Sequence, residues 1–118
     1  MSNTIQRIDS NERLSRIVIH NGVVHVAGVT ASDPSASVEA QTRDVLHKVD
    51  GYLAQAGTSK SRLLTVQIWL KDIDRDFADM NKAWGEWADK SNMPTRATCE
   101  AKLARADLLV EIIVSAAL

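Results

Sequence analysis

Arg16-Ile17-Val18-Ile19-His20-Asn21-Gly22-Val23-Val24-His25-Val26-Ala27-Gly28 is the stretch whose reading decides the fold. Two β-branched runs flank Asn21-Gly22, and both turn residues accept the positive φ of a type I′ turn, so the stretch predicts a β-hairpin. Upstream, Ile5-Gln6-Arg7-Ile8 predicts a short strand. Downstream, Ala31 to Ser37 is rich in Ser, Asp and Pro and reads as a loop ending in a helix cap. From there Val38, Val45, Leu46, Val49, Leu53 and Ala56 share one helical face, and Gly57 stands where a helix stops. Leu63 to Leu70 is too short and too uniformly apolar for an amphipathic helix, which predicts a buried strand.

Asp72 or Asp74 can cap a second helix whose face carries Phe77, Met80, Trp84 and Trp87. Asn92-Met93-Pro94 ends it, because the residue before proline is pushed out of helical geometry. Two strands close the chain. Ala97, Cys99, Ala101 and Leu103 alternate with Arg96, Thr98, Glu100 and Lys102. After a turn at Ala104 to Asp107, Val110, Ile112 and Val114 alternate with Leu109, Glu111, Ile113 and Ser115. The order β-β-β-α-β-α-β-β predicts one α+β domain over residues 1–118, a mixed sheet with both helices on one face. Trp69, Leu109 and Ile113 are expected to lie uncovered on the other face, which calls for a homo-oligomer.

Composition narrows the function. Among 118 residues, 14 are basic and 15 acidic, for a formal charge of −1. That balance supplies no general attraction to nucleic acid or to an anionic membrane. No run is long enough to span a bilayer, and Met1 to Arg7 lacks the apolar stretch of a signal peptide, so a cytoplasmic protein is expected. Cys99 is the sole cysteine, and His20, His25 and His47 show no ligand spacing, which argues against a metal site. Gly22, Gly28 and Gly57 read as turn or cap glycines, with no phosphate-binding glycine loop.

Two charged residues are candidates for chemistry. Glu111 lies in the most apolar stretch of the chain, and is either a solvated strand residue or a carboxylate buried beside a partner. Arg96 is either an exposed strand-end arginine or a clamp gripping a substrate carboxylate through two parallel hydrogen bonds. A simple hairpin of the last two strands would put both on one sheet face, on the order of 10 Å apart, with room for a small acid between them. Cys99 alternates away from Arg96 and reads as core. Asn81 borders the apolar face of the second helix, where its amide is expected to bond backbone near the following strand.

These stretches together resemble the RidA (reactive intermediate deaminase, YjgF-like) family, nearer its YoaB-like branch than RidA itself. The resemblance rests on Asn21 to Gly28, Val66 to Asp72, Phe77 to Trp84, and Pro94 to Leu103 followed by Val110-Glu111-Ile112, covering essentially the whole chain. It implies a chorismate-mutase-like fold, a homotrimer with small-molecule sites in the clefts between subunits, and no metal or organic cofactor. It further implies that Arg96 grips the carboxylate of a 2-imino or enamine acid of the 2-aminoacrylate or 2-iminobutanoate type. Glu111 then positions or activates the attacking water, and a 2-oxo acid and ammonia leave. Asn81 matches a residue at the border of the family's site. Leu14 stands where an aromatic residue is usual, Ala27 where a serine is common, and Thr98 where a cysteine follows the arginine. Carboxylate binding with an altered substrate preference is therefore expected. The alternatives are a non-catalytic binder of small carboxylates, acting as sensor or chaperone, and an endoribonuclease. The near-neutral charge and the lack of an aromatic-basic face weigh against the last.

Overall fold

The computed structural model describes residues 4–118, so the first three residues of the stretch read against a signal peptide lie outside it. Six strands and two helices alternate as β1 (Gln6–Ser10), β2 (Ser15–His20), β3 (Val23–Thr30), α1 (Val38–Ala56), β4 (Leu63–Leu70), α2 (Ile73–Trp87), β5 (Thr95–Glu100) and β6 (Val110–Ala117). A 3₁₀ turn, Lys60–Arg62, leads into β4. Among the described residues no helix is long and apolar enough to cross a membrane.

Local chemistry accounts for the boundaries. Asn21 and Gly22 take φ of 51° and 75°, the left-handed pair that closes the β2–β3 hairpin. Ser37 caps α1 by accepting from the Ala40 N–H, and Asp72 caps α2 by accepting from the Arg75 N–H. Gly57 ends α1 at φ 90°, with its own N–H and that of Thr58 returning to carbonyls of the last turn.

The sheet order is β1-β2-β3-β6-β4-β5. Every neighbouring pair is antiparallel except β4–β5, which is parallel. The α2 segment is the crossover that a parallel pair requires. The expected hairpin of the last two strands is therefore not formed, because β4 lies between β5 and β6. Strand β5 stops at Glu100 rather than running on to Leu103: Ala101 N–H makes a last bond to Leu70 O, and the chain then turns back towards β6.

Both helices cover one face, where Ile17, Val24, Val26, Val66, Ile68, Val110, Ile112 and Val114 meet Val45, Leu46, Val49, Leu53, Met80 and Trp84 in a single core. Three expectations about packing need correction. Phe77 is 40% exposed, and α2 buries Asp76, Met80, Ala83 and Trp84 instead. Leu109 packs against the core cluster rather than lying uncovered. Cys99 is exposed. It does point away from Arg96, but the face it points to is the one the helices leave open.

Candidate active site

Ladder register fixes which way each candidate points, since residues paired across strands project from the same face. Arg96 pairs with Val66, which pairs with Val114. Both valines are buried beneath the helices. Glu111 pairs with Trp69, which pairs with Cys99, on the open face. The expectation that Arg96 and Glu111 share a face is thus overturned. It followed from the hairpin, and the intervening β4 changes the parity. Two strand spacings and a three-residue offset put their Cα atoms on the order of 14 Å apart, on opposite sides of the sheet.

The arginine half is built on the edge strand. Arg96 Nη1 donates to Asn81 Oδ1 at 2.7 Å. Its guanidinium carbon also sits 5.5 Å from the centre of the Trp84 ring, a cation–π distance. Asn81 and Trp84 are about one helical turn apart on α2, so one helix face holds the guanidinium through a hydrogen bond and a cation–π contact. The Asn81 amide was expected to meet backbone; its partner is the Arg96 side chain. Partial burial lowers the guanidinium's affinity for its proton from the ordinary value, although an arginine still keeps its charge at neutral pH. Thr98, two residues along the same face of β5, has a buried hydroxyl with no hydrogen-bond partner among the described residues. An unmet hydroxyl costs on the order of 1–3 kcal/mol.

The glutamate half is built on a β-bulge. Between the pairs Val26↔Val114 and Val29↔Ile112, strand β3 carries one more residue than β6, so Ala27 and Gly28 together face Ile113. A Cβ on Gly28 would overlap Glu111 Oε2. Gly28 is therefore not a turn glycine: it leaves the room in which the carboxylate lies. Burial pushes the Glu111 carboxyl above the usual carboxylate range, and the charge of Arg16 opposes that shift. Leu14 sits in the β1–β2 turn, 47% exposed, with its N–H and carbonyl both bonded to Asn11. It lies three residues before Ile17, whose ladder partner Val26 adjoins the bulge.

The structure thus groups Arg96, Asn81 and Thr98 at the β5–α2 edge, and Glu111 and Ala27 at the β3–β6 bulge with Leu14 nearby. It does not bring the two groups together within one chain. Sequence reasoning missed Trp84 as a bed for Arg96, because its helical spacing marks it as core, and core it also is. It missed Gly28 because a bulge leaves no signature when the glycine keeps a negative φ. A cavity of about 260 Å³ between the helices, lined by residues including His47, Asp50 and Trp87, contains neither Arg96 nor Glu111. Among the described residues no cluster of His, Cys, Asp and Glu could hold a metal ion.

Comparison with known proteins adds ancestry to this geometry. The sequence model described as Endoribonuclease L-PSP matches residues 4–118. A RutC family protein of Haemophilus influenzae is 44% identical over 117 residues, covering 96% of this chain and 97% of the relative. The RutC family protein YoaB of Escherichia coli is 40% identical over 114 residues, covering 97% and 98%. Among solved structures, a YjgF family member from Neisseria meningitidis superposes with a TM-score of 0.93 at 34% identity, covering 98% of this chain and 95% of that one. A protein from Salmonella typhimurium described as a putative translation initiation inhibitor gives 0.91 at 38%, covering 99% and 100%.

Proposed function

This chain belongs to the Endoribonuclease L-PSP family, the group of RutC, YjgF and Rid proteins, and from that premise we propose that it hydrolyses reactive 2-imino acids to 2-oxo acids and ammonia at a site closed between subunits of a homotrimer. The observation that carries the reading is the division of the two candidate groups. Arg96 is held ready on one face of the sheet and Glu111 on the other, each with its own supporting residues. Neither half is a reaction centre alone. A cyclic assembly that sets the β5–α2 edge of one copy against the β3–β6 face of the next brings them together and also covers Trp69 and Ile113.

In such a cleft each group has a defined task. The Arg96 fork takes the substrate carboxylate through two charge-assisted hydrogen bonds, while Asn81 and Trp84 keep the fork from swinging. The Glu111 carboxylate takes a proton from water as the water oxygen bonds to the imine carbon, and hands it to the imine nitrogen, which becomes the amine of a carbinolamine. Glu111 then carries the carbinolamine hydroxyl proton to that nitrogen as the carbon–oxygen double bond forms and the carbon–nitrogen bond breaks, leaving the 2-oxo acid and ammonia. Leu14 and Ala27 bring no hydroxyl to the cleft, which favours substrates with apolar side chains. No metal or organic cofactor takes part in these steps. The family description names an endoribonuclease, but a net charge of −1 gives this chain no general hold on a phosphate backbone.

The test is hydrolysis of imines generated in situ from several amino acids, followed by keto-acid formation. Wild type is expected to accelerate the reaction, and Arg96→Ala and Glu111→Gln to lose most of the acceleration. A wild-type protein that binds 2-oxo acids, as a thermal shift, without turnover would replace this reading by a carboxylate sensor.

A further inference from the structure

Arg16 has no part in the reaction described above, yet it is tied to the backbone on which Glu111 rests. Its Nη1 donates to two carbonyl oxygens at once, Ala27 O at 2.9 Å and Gly28 O at 3.1 Å. Those are the two residues of the bulge, where strand β3 has one residue too many for the ladder. Carbonyls at a bulge lose their regular ladder partners and need another donor. The far side of the guanidinium lies against α1, with its carbon 5.0 Å from the centre of the Tyr52 ring. The Arg16 guanidinium therefore touches both a helix and the bulge.

We propose that Arg16 is a positioning residue for Glu111, pinning the Ala27–Gly28 bulge that seats the carboxylate and bringing its own positive charge to that bulge. Gly28 leaves room for the carboxylate only while the bulge keeps its shape, and Arg16 is the side chain that bonds both bulge carbonyls. Arg16 acts from β2. From α1, Lys48 Nζ donates to Thr30 O, the carbonyl of Glu111's ladder partner, and shares its charge with Asp44 at 3.8 Å. From the other side, β4 presents the uncharged Trp69, with Cys99 of β5 beyond it. The charge of Arg16 opposes the upward push that burial gives the Glu111 carboxyl.

The catalytic part of this inference rests on the deaminase reading, but its physical part is measurable without turnover. The Glu111 carboxyl carbon is followed by NMR against pH in wild type, Arg16→Gln and Arg16→Lys, with Glu111→Gln used to assign the signal. Arg16→Gln is expected to move the midpoint up, because the opposing positive charge is gone, and Arg16→Lys to restore most of the shift. The acid limb of imine hydrolysis is expected to move with it. In unmodified protein the Arg16 Nε–H resonance should titrate with the Glu111 midpoint and become flat in Glu111→Gln, a readout that survives if the Arg16 variants misfold. A Glu111 midpoint unmoved in folded Arg16→Gln, or an Arg16 resonance blind to Glu111 in wild type, overturns the proposal. A shifted midpoint with no imine turnover in any protein overturns the deaminase reading alone, and turnover with an unshifted midpoint overturns the Arg16 role alone.

Discussion

The Glu111 carboxylate lies in the space that a Cβ on Gly28 would fill. A glycine at the second residue of the bulge thus decides where the acid of the candidate site rests. The obstructed atom is the end of a flexible side chain, so Gly28→Ala is expected to leave the fold intact and displace the carboxylate. Displacement of a reacting group by about 1 Å is able to cost about 100-fold in rate. Turnover of in situ imines should fall by about that factor while the far-UV circular dichroism is unchanged. Full activity in Gly28→Ala would mean that Glu111 does not react from the position it holds here.

Arg96 donates to Asn81 and lies over the Trp84 ring, two contacts that a guanidinium makes together more readily than an ammonium. Arg96→Ala is expected to lower kcat/KM by roughly 10- to 100-fold, the worth of a charged hydrogen-bonded contact, and Arg96→Lys to recover little of it. Asn81→Ala leaves the charge but frees the fork, and should weaken binding of a 2-oxo acid product more than it lowers kcat. Isothermal titration with pyruvate across the three variants measures this. Equal affinity in all of them would remove Arg96 from the site.

Much of the fold was legible because local signals carried it. Asn21-Gly22 predicted the hairpin, and Val38 to Gly57 and Leu63 to Leu70 bound their elements as observed. The placement of β5 was not legible. Alternation says that Arg96 and Cys99 point apart but not which side the helices cover, and it names no neighbouring strand. Cys99 read as the buried side, yet β5 is an edge strand, and it is Arg96 and Thr98 that face α2. One error of pairing then moved Arg96 onto the wrong face. Arg96, Asn81 and Glu111 were candidates from the sequence; the parts of Trp84 and Gly28 beside them, and the division into two halves, needed the structure.

Burial holds the Glu111 carboxyl above the ordinary carboxylate range, so the folded protein keeps its proton at pH values where the unfolded chain has released it. The group's contribution to stability is therefore present below the ordinary glutamate range and is lost as pH rises through the folded value. Glu111→Gln removes this dependence. The melting temperature of wild type relative to Glu111→Gln should fall as pH is raised from the usual carboxylate range to just above it, and then level off. Activity runs the other way, rising with pH across the same window as the base ionises. A difference in melting temperature that rises with pH would show the acid to be stabilised in its charged form.

Gln41 is fully buried, and its amide ties two loops together. Nε2 donates to Pro34 O, Ala36 O and Asp107 O, and Oε1 accepts from Leu109 N–H. Nothing in the helical pattern of α1 marked it, since a polar residue beside an apolar stripe ordinarily faces water. Gln41→Leu keeps the volume but leaves these backbone groups without partners, at a cost of about 2–3 kcal/mol. Calorimetry should show a melting temperature lower by roughly 10 °C, with kcat/KM at 25 °C little changed. A variant as stable as wild type would mean that water replaces the amide at no cost.

Because Arg96 and Glu111 stand on opposite sides of one sheet, a site that uses both must draw them from different copies. Light scattering should then give a particle of three 12.9 kDa chains, and the sharper test is complementation. Arg96→Ala and Glu111→Gln proteins are each expected to keep no more than about a tenth of the wild-type rate. When they are unfolded together and refolded as mixed trimers, every mixed particle contains one cleft in which an intact Arg96 faces an intact Glu111. Equal mixing restores roughly a quarter of the wild-type sites, since three-quarters of cyclic trimers are mixed and one cleft in three is whole. Mixing without refolding should restore nothing until subunits exchange. If refolded mixtures gain no activity although the trimers form, the two groups do not share a cleft, and the mechanism must place water activation on another residue.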